Sequence, residues 1–90
     1  MARLFDLKVL TPQGTALKTR VRHLRFPASD GLVGVLAAHA PYLSSSPGGT
    51  LSLDLEDGTK KDFHIGPGFF TILEDQALLL TDTWSEGSGN

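Results

Sequence analysis

The apolar positions of this chain recur every second residue rather than every third or fourth. Phe5, Leu7 and Val9 alternate with Asp6 and Lys8, the pattern of a strand with one buried and one wet face. Thr11-Pro12-Gln13-Gly14 ends it, because proline presets φ and glycine supplies a positive φ. A second strand is predicted from Arg20 to Phe26. Val21 is apolar at an odd position, whereas Leu24 and Phe26 are apolar at even ones. One extra residue near Arg22-His23 would flip the later side chains to the other face, so a β-bulge is expected there. Asp30-Gly31-Leu32-Val33-Gly34-Val35-Leu36 reads as a turn running into a short buried strand. Ser44-Ser45-Ser46-Pro47-Gly48-Gly49 reads as a loop.

The clearest alternation is Leu51, Leu53 and Leu55, whose partner is the segment Lys61 to Ile65. Register decides the turn between them. A two-residue Asp57-Gly58 loop would set Phe63 against Ser52, on the wrong face. A three-residue loop, Asp57-Gly58-Thr59, pairs Leu53 with Phe63 and Leu51 with Ile65, and puts Gly58 at positive φ. A two-residue turn followed by a bulge reaches the same facing. After Gly66-Pro67-Gly68, a further hairpin is predicted from Phe69–Leu73 and Ala77–Thr81, across Glu74-Asp75-Gln76. No segment carries an apolar stripe of helical period. Short strands parted by Gly/Pro turns give an all-β fold, a two-sheet β-sandwich or flattened barrel of about 8–10 strands. Residues 1–84 are expected to form that domain and residues 85–90 a frayed polar tail.

Ninety residues hold one core, and apolar residues at 40% suffice to fold it. The net charge of −2 is well mixed along the chain, which argues against a nucleic-acid footprint and an anionic-lipid patch. The absence of cysteine removes disulfides and thiolate chemistry. The N-terminus meets Asp6 before an apolar run can build, so no signal peptide is read there. Ala77 to Leu80, four apolar residues, is far short of the ~20 that span a bilayer.

Candidate chemistry is sparse. His23, His39 and His64 lack metal-ligand spacing, and no cofactor is expected. No Gly-x-Ser-x-Gly elbow exists. Gly31-Leu32-Val33-Gly34 and Gly66-Pro67-Gly68 lack the lysine and following helix of a phosphate loop, and read as tight turns. Asp54, Glu56, Asp57 and Asp62, with Lys60 and Lys61, read as a solvated strand face. His39-Ala40-Pro41, before Tyr42-Leu43, is either a proline-pinned loop whose histidine bonds a local carbonyl or a docking corner on a rigid scaffold.

At this corner the chain resembles the N-terminal β-sandwich of the epsilon subunit of F-type ATP synthases, called delta in mitochondria. Phe5-Asp6-Leu7-Lys8-Val9-Leu10-Thr11-Pro12 is similar to that family's opening strand, and Val21 through Phe26 to its bulged strand. Gly31 through Leu43, with its Gly-x-x-Gly and His39-Ala40-Pro41, matches the most recognisable block. Gly66-Pro67-Gly68-Phe69-Phe70 and Leu80-Thr81-Asp82-Thr83 follow in the family's order, so the likeness runs from about residue 4 to 84. Departures are Ala37-Ala38 before the histidine, Ser46 where a lysine is common, and Trp84 for a small residue.

The resemblance implies a non-catalytic central-stalk subunit that couples c-ring rotation to the gamma subunit during proton-driven ATP synthesis. It implies Thr11, His39 and Tyr42 on the gamma-facing side, and Asp30, Gly31, Leu32 and Val33 facing the polar loops of the c-ring. It implies attachment to the cytoplasmic side of a bacterial membrane through the complex alone. Long members continue as a two-helix hairpin that restrains ATP hydrolysis. This chain stops six residues after Trp84, so a short form that couples without braking is expected. The alternative is a free-standing sandwich that binds carbohydrate or protein, for which Trp84 and Tyr42 are the candidate aromatics. A small hydrolase is the remaining reading.

Overall fold

A computed structural model describes residues 3–87, which form nine strands and, among the described residues, no helix. In chain order they are β1 (Phe5–Thr11), β2 (Gly14–Ala28), β3 (Gly31–Leu36), β4 (Tyr42–Ser46), β5 (Gly49–Leu55), β6 (Lys60–Ile65), β7 (Gly68–Leu73), β8 (Gln76–Thr81) and β9 (Trp84–Glu86). Hydrogen bonding runs continuously through β4-β7-β8-β1-β2-β5-β6-β9, with β3 also on β2. β1 and β8 are parallel; the other pairs are antiparallel.

The long strand β2 folds this ribbon into two layers. Val21 pairs with Phe5 of β1 and with Leu55 of β5, so those neighbours lie on opposite edges of β2. Leu24 pairs with Val35 of β3 and Leu53 of β5. β1 and β3 therefore share one edge, β1 along its first half and β3 along its second. The register shifts between Val21 and His23, leaving Arg22 as the extra residue. The parity switch predicted this bulge, and it marks where β2 passes from one layer to the other. Layer one is β4-β7-β8-β1-β2 and layer two is β3-β2-β5-β6-β9.

Phe5, Leu7, Val9, Val21, Leu24, Phe26, Leu51, Leu53, Phe70, Ile72 and Leu79 fill the space between layers at no more than 2% exposure. Phe26 of layer two stacks on Phe70 of layer one, ring centroids 4.7 Å apart.

Several expectations need correction. β2 begins at Gly14, not Arg20, with a second register shift opposite Val9 and Leu10 that leaves Ala16 unpaired. β3 is a surface strand in which only Val35 is fully buried. Ser44-Ser45-Ser46 belongs to strand β4: Ser46 is buried and donates its hydroxyl to the Pro27 carbonyl, which gives the polar run a structural use.

The β5–β6 loop has three residues, as expected, but they are Glu56-Asp57-Gly58. Leu51 pairs with Phe63 and Leu53 with Lys61. The shift is two residues, so every side chain keeps its predicted face. The Gly58 amide donates to the Leu55 carbonyl (2.9 Å) and the Leu55 amide to the Thr59 carbonyl (2.8 Å), with Gly58 at φ 90°. This is a type I turn closed by a glycine bulge. The β7–β8 turn has two residues, Glu74 and Asp75, both at positive φ. Ser85 and Glu86, expected to fray, continue from Trp84 as β9 against β6. Residues 88–90 of the expected tail lie outside the described residues.

Asp57 gives a pH prediction. Its side chain accepts the Thr59 amide at 2.9 Å, and Thr59 holds its carboxyl below the usual carboxylate range. A depressed folded-state value adds stability above the unfolded value, and that stability is lost as pH falls through the folded one. An NMR titration should place the Asp57 midpoint below that of an unfolded peptide, and Asp57→Asn should flatten the acid side of the stability profile.

Candidate docking surface

The alternation of strands in layer one sends one set of side chains inward and another into solvent. Outward on β7 stand Phe69, Thr71 and Leu73, on β8 Leu78 and Leu80, on β4 Leu43, and on β1 Leu10. Register aligns them: Phe69 pairs with Leu80, Leu80 with Leu10, and Leu43 with Thr71. Leu43 is 73% exposed, Phe69 57%, Leu73 56% and Leu80 43%. Contiguous exposed apolar side chains on one face mark a surface that another molecule covers. Beyond Leu78 the same face carries Lys8 and Lys18 directly opposite one another.

One end of this face is the His39 corner. Ala38 has φ 64°, and its amide donates to Asp75 Oδ1 at 2.6 Å. Arg3 pairs with Asp75 Oδ2 at 2.8 Å, and the Asp6 amide donates to the Asp75 carbonyl at 3.0 Å. Asp75 thus ties the corner, the start of β1 and its own turn together. That compensates the roughly 1–2 kcal/mol per residue that left-handed backbone costs at Glu74 and Asp75. Asp75→Ala should lower stability by about 1–3 kcal/mol in chemical unfolding, and Asp75→Asn, which keeps an acceptor, by less.

His39 Nδ1 lies 2.7 Å from the Ala40 carbonyl. A carbonyl only accepts, so Nδ1 carries the proton and the neutral ring keeps an acceptor at Nε2. The local carbonyl bond expected of a structural histidine is therefore present, and the second nitrogen remains for a partner. The ring meets Tyr42 edge-on at 5.8 Å, and Tyr42 leans on Phe70 at 6.4 Å. Tyr42 is half-buried against the core.

Thr11 does not join them. It ends β1, five residues beyond Asp6, or about 17 Å along the sheet from the His39 corner. Its hydroxyl receives the Gln13 amide at 3.2 Å within its own turn. The Ser29-Asp30 turn lies toward Thr11's end, since the Ser29 amide donates to the Ser45 carbonyl and Ser45 pairs with Phe69. Of the four residues expected to face the ring, Leu32 is 66% exposed, whereas Val33 is half-buried and packs on the core.

The leucine and phenylalanine face itself was not singled out in the sequence, although a signal existed. Phe69-Phe70 and Leu78-Leu79-Leu80 are apolar at both parities, which in a strand means both faces are covered.

Among the described residues, no cluster of His, Asp or Glu is placed to hold a metal ion. A shallow depression of about 280 Å³ on the outside of layer two is lined by His23, Arg25, Asp54, Lys60 and Asp62. Asp54 there is taken by Lys60 at 3.0 Å, with His23 at 4.0 Å. Gly68 is set by close packing, since a Cβ would overlap the Leu80 carbonyl. Trp84 stacks on Phe63 at 4.3 Å, whereas Tyr42 packs on His39 and Phe70 at the opposite end of the strand order.

The fold and the exposed apolar face define a β-sandwich with a docking surface. Residues 4–87 match the family described as ATP synthase, Delta/Epsilon chain, beta-sandwich domain. The chain belongs to that family, and it is a non-catalytic subunit. It is 34% identical over 80 residues to the ATP synthase epsilon chains of Chlorobium limicola and Chlorobaculum tepidum, covering 89% of this chain and 91% of each relative. With the epsilon chain of Solibacter usitatus it shares 34% over 82 residues but spans 60% of that protein. The fold matches a chain in a Euglena gracilis mitochondrial ATP synthase, described as OSCP/F1/c-ring, with TM-score 0.87 and 22% identity. That match covers 96% of this chain and 54% of the other. A Tetrahymena thermophila central stalk/c-ring structure matches with TM-score 0.74, 12% identity, and coverage of 94% and 75%. No described helix is long and apolar enough to cross a membrane.

Proposed function

We propose that the chain couples c-ring rotation to the gamma subunit in an F-type ATP synthase, docking gamma through the outer face of layer one. The exposed row of Leu43, Phe69, Leu73 and Leu80 carries this reading. His39 and Thr11 lie at opposite ends of layer one, so a footprint that takes in both must cross that row. The tip at Asp30, Gly31 and Leu32 projects from layer two and meets the polar ring loops, with Val33 bracing it from behind. Close packing between the layers makes the body stiff enough to transmit torque between two grips. The chain is then peripheral to the membrane, held there by its partners.

Adding the chain to an epsilon-depleted complex should restore proton-coupled ATP synthesis, and no gain in synthesis would contradict coupling. His39→Glu should weaken gamma binding by about 1–3 kcal/mol in a titration, because an unpaired interfacial charge carries a desolvation cost. Unchanged affinity would remove His39 from the contact.

A further inference from the structure

β3 is an edge without the usual guards. It runs six residues from Gly31 to Leu36, and no charged or proline residue falls between Asp30 and His39. The other edges are better protected: β9 has three residues, and β4 is hooked to the Ser29-Asp30 turn through Ser45. The outward backbone groups of β3 follow from its hairpin. Ala28 and Gly31 close a two-residue turn and so occupy a hydrogen-bonded pair. Alternation then turns Gly31, Val33 and Val35 toward β2 and leaves the N–H and C=O groups of Leu32, Gly34 and Leu36 pointing away. Pro27, opposite Leu32, fits this phase, since its carbonyl receives Ser46 on the far side from β3.

The sequence of that edge, Leu32-Val33-Gly34-Val35-Leu36, reads the same in both directions. In an antiparallel strand laid against its own copy, residues equidistant from the crossing point face each other, so a sequence symmetric about that point sets identical side chains opposite one another. We propose that the free chain forms a two-fold dimer in which β3 pairs antiparallel with β3 of a second copy, centred on Gly34. Leu32 then faces the partner's Leu36, Leu36 the partner's Leu32, and the two Gly34 residues exchange backbone bonds at the axis. Each facing pair supplies two main-chain bonds and matched leucines, now 66% and 60% exposed, cover one another. At Gly34 the missing side chain leaves room for the His23 imidazole, whose Nε2 stands 3.2 Å from where a Cβ would be. The backbones at Arg25 and its counterpart stand three strand spacings apart, about 14 Å. The two layer-two sheets join into one of twice the width. Because Leu32 lies in the proposed ring-facing tip, self-pairing and assembly exclude each other; the dimer itself does not depend on that reading.

An edge contact is small, so a dissociation constant on the order of 10⁻⁴ M is expected. In sedimentation equilibrium the average mass should climb with concentration from 9.6 kDa toward twice that value. Leu36→Lys and, separately, Leu32→Lys should hold the chain monomeric with unchanged circular dichroism. Under mild oxidation, a mixture of Leu32→Cys and Leu36→Cys chains should cross-link several-fold faster than either variant alone, because only the mixed pair is juxtaposed. A monomer at every concentration, a dimer indifferent to both lysines, or equal cross-linking of Leu32→Cys with itself would overturn the proposal and leave the edge for a different strand.

Discussion

Phe70→Ala should lower the stability of this protein by about 3–5 kcal/mol, the cost of emptying a large aromatic site in a close-packed interior. Phe70 is fully buried and sits where the layers meet, stacked on Phe26 and supporting Tyr42. At roughly 0.05–0.15 kcal/mol per residue, ninety residues hold only about 4.5–13.5 kcal/mol in total. The substitution therefore removes a large share and, at the low end of that range, unfolds the chain. Trp84 supplies the measurement: it is the single tryptophan, half-buried against Phe63 and remote from Phe70 in the pairing order. With a urea dependence of about 1.5 kcal/mol per molar, the fluorescence midpoint should fall by roughly 2–3 M. Phe70→Leu refills much of the volume and should cost about 1–1.5 kcal/mol. Equal costs for the two variants would mean that the stack does not hold the layers together.

What the sequence made legible follows from what period two encodes. Strands with one wet face announce themselves, as Phe5-Leu7-Val9 and Leu51-Leu53 did, and a change of parity revealed the bulge at Arg22. Facing was recoverable at β5–β6 because a wrong parity would bury Asp62 beside Leu53 and turn Phe63 outward beside Ser52. The choice between registers two residues apart was not, since both keep Phe63 inside and differ only in turn chemistry at Glu56-Asp57-Gly58. β4 was hidden because its serines serve the Pro27 carbonyl and the Ser29-Asp30 turn, contacts that form only when distant segments meet. The candidate site divided in the same way. His39-Ala40-Pro41 stood out for its residue types, but Asp75 as its anchor is 37 positions away and could not be read from local pattern.

Phe69→Glu should cost the proposed gamma contact about thirtyfold or more in affinity while leaving the fold in place. Phe69 points outward between Ser45 of β4 and Leu80 of β8, 57% exposed. A carboxylate there must be stripped of water when the row is covered, and aromatic anchors of an interface lose about 2–4 kcal/mol when removed. In isolation the same carboxylate stays in solvent, so the unfolding free energy should move by under about 1 kcal/mol. Leu36→Lys provides the counterpart on the other layer: it should abolish pairing through β3 yet leave gamma affinity within twofold. If both substitutions weakened gamma binding alike, docking would have to wrap the β3 edge as well as layer one. If neither did, the apolar row would belong to another partner. A loss confined to Phe69→Glu in the binding titration, with a loss confined to Leu36→Lys in sedimentation, assigns the two exposed apolar surfaces of this small sandwich to two different tasks.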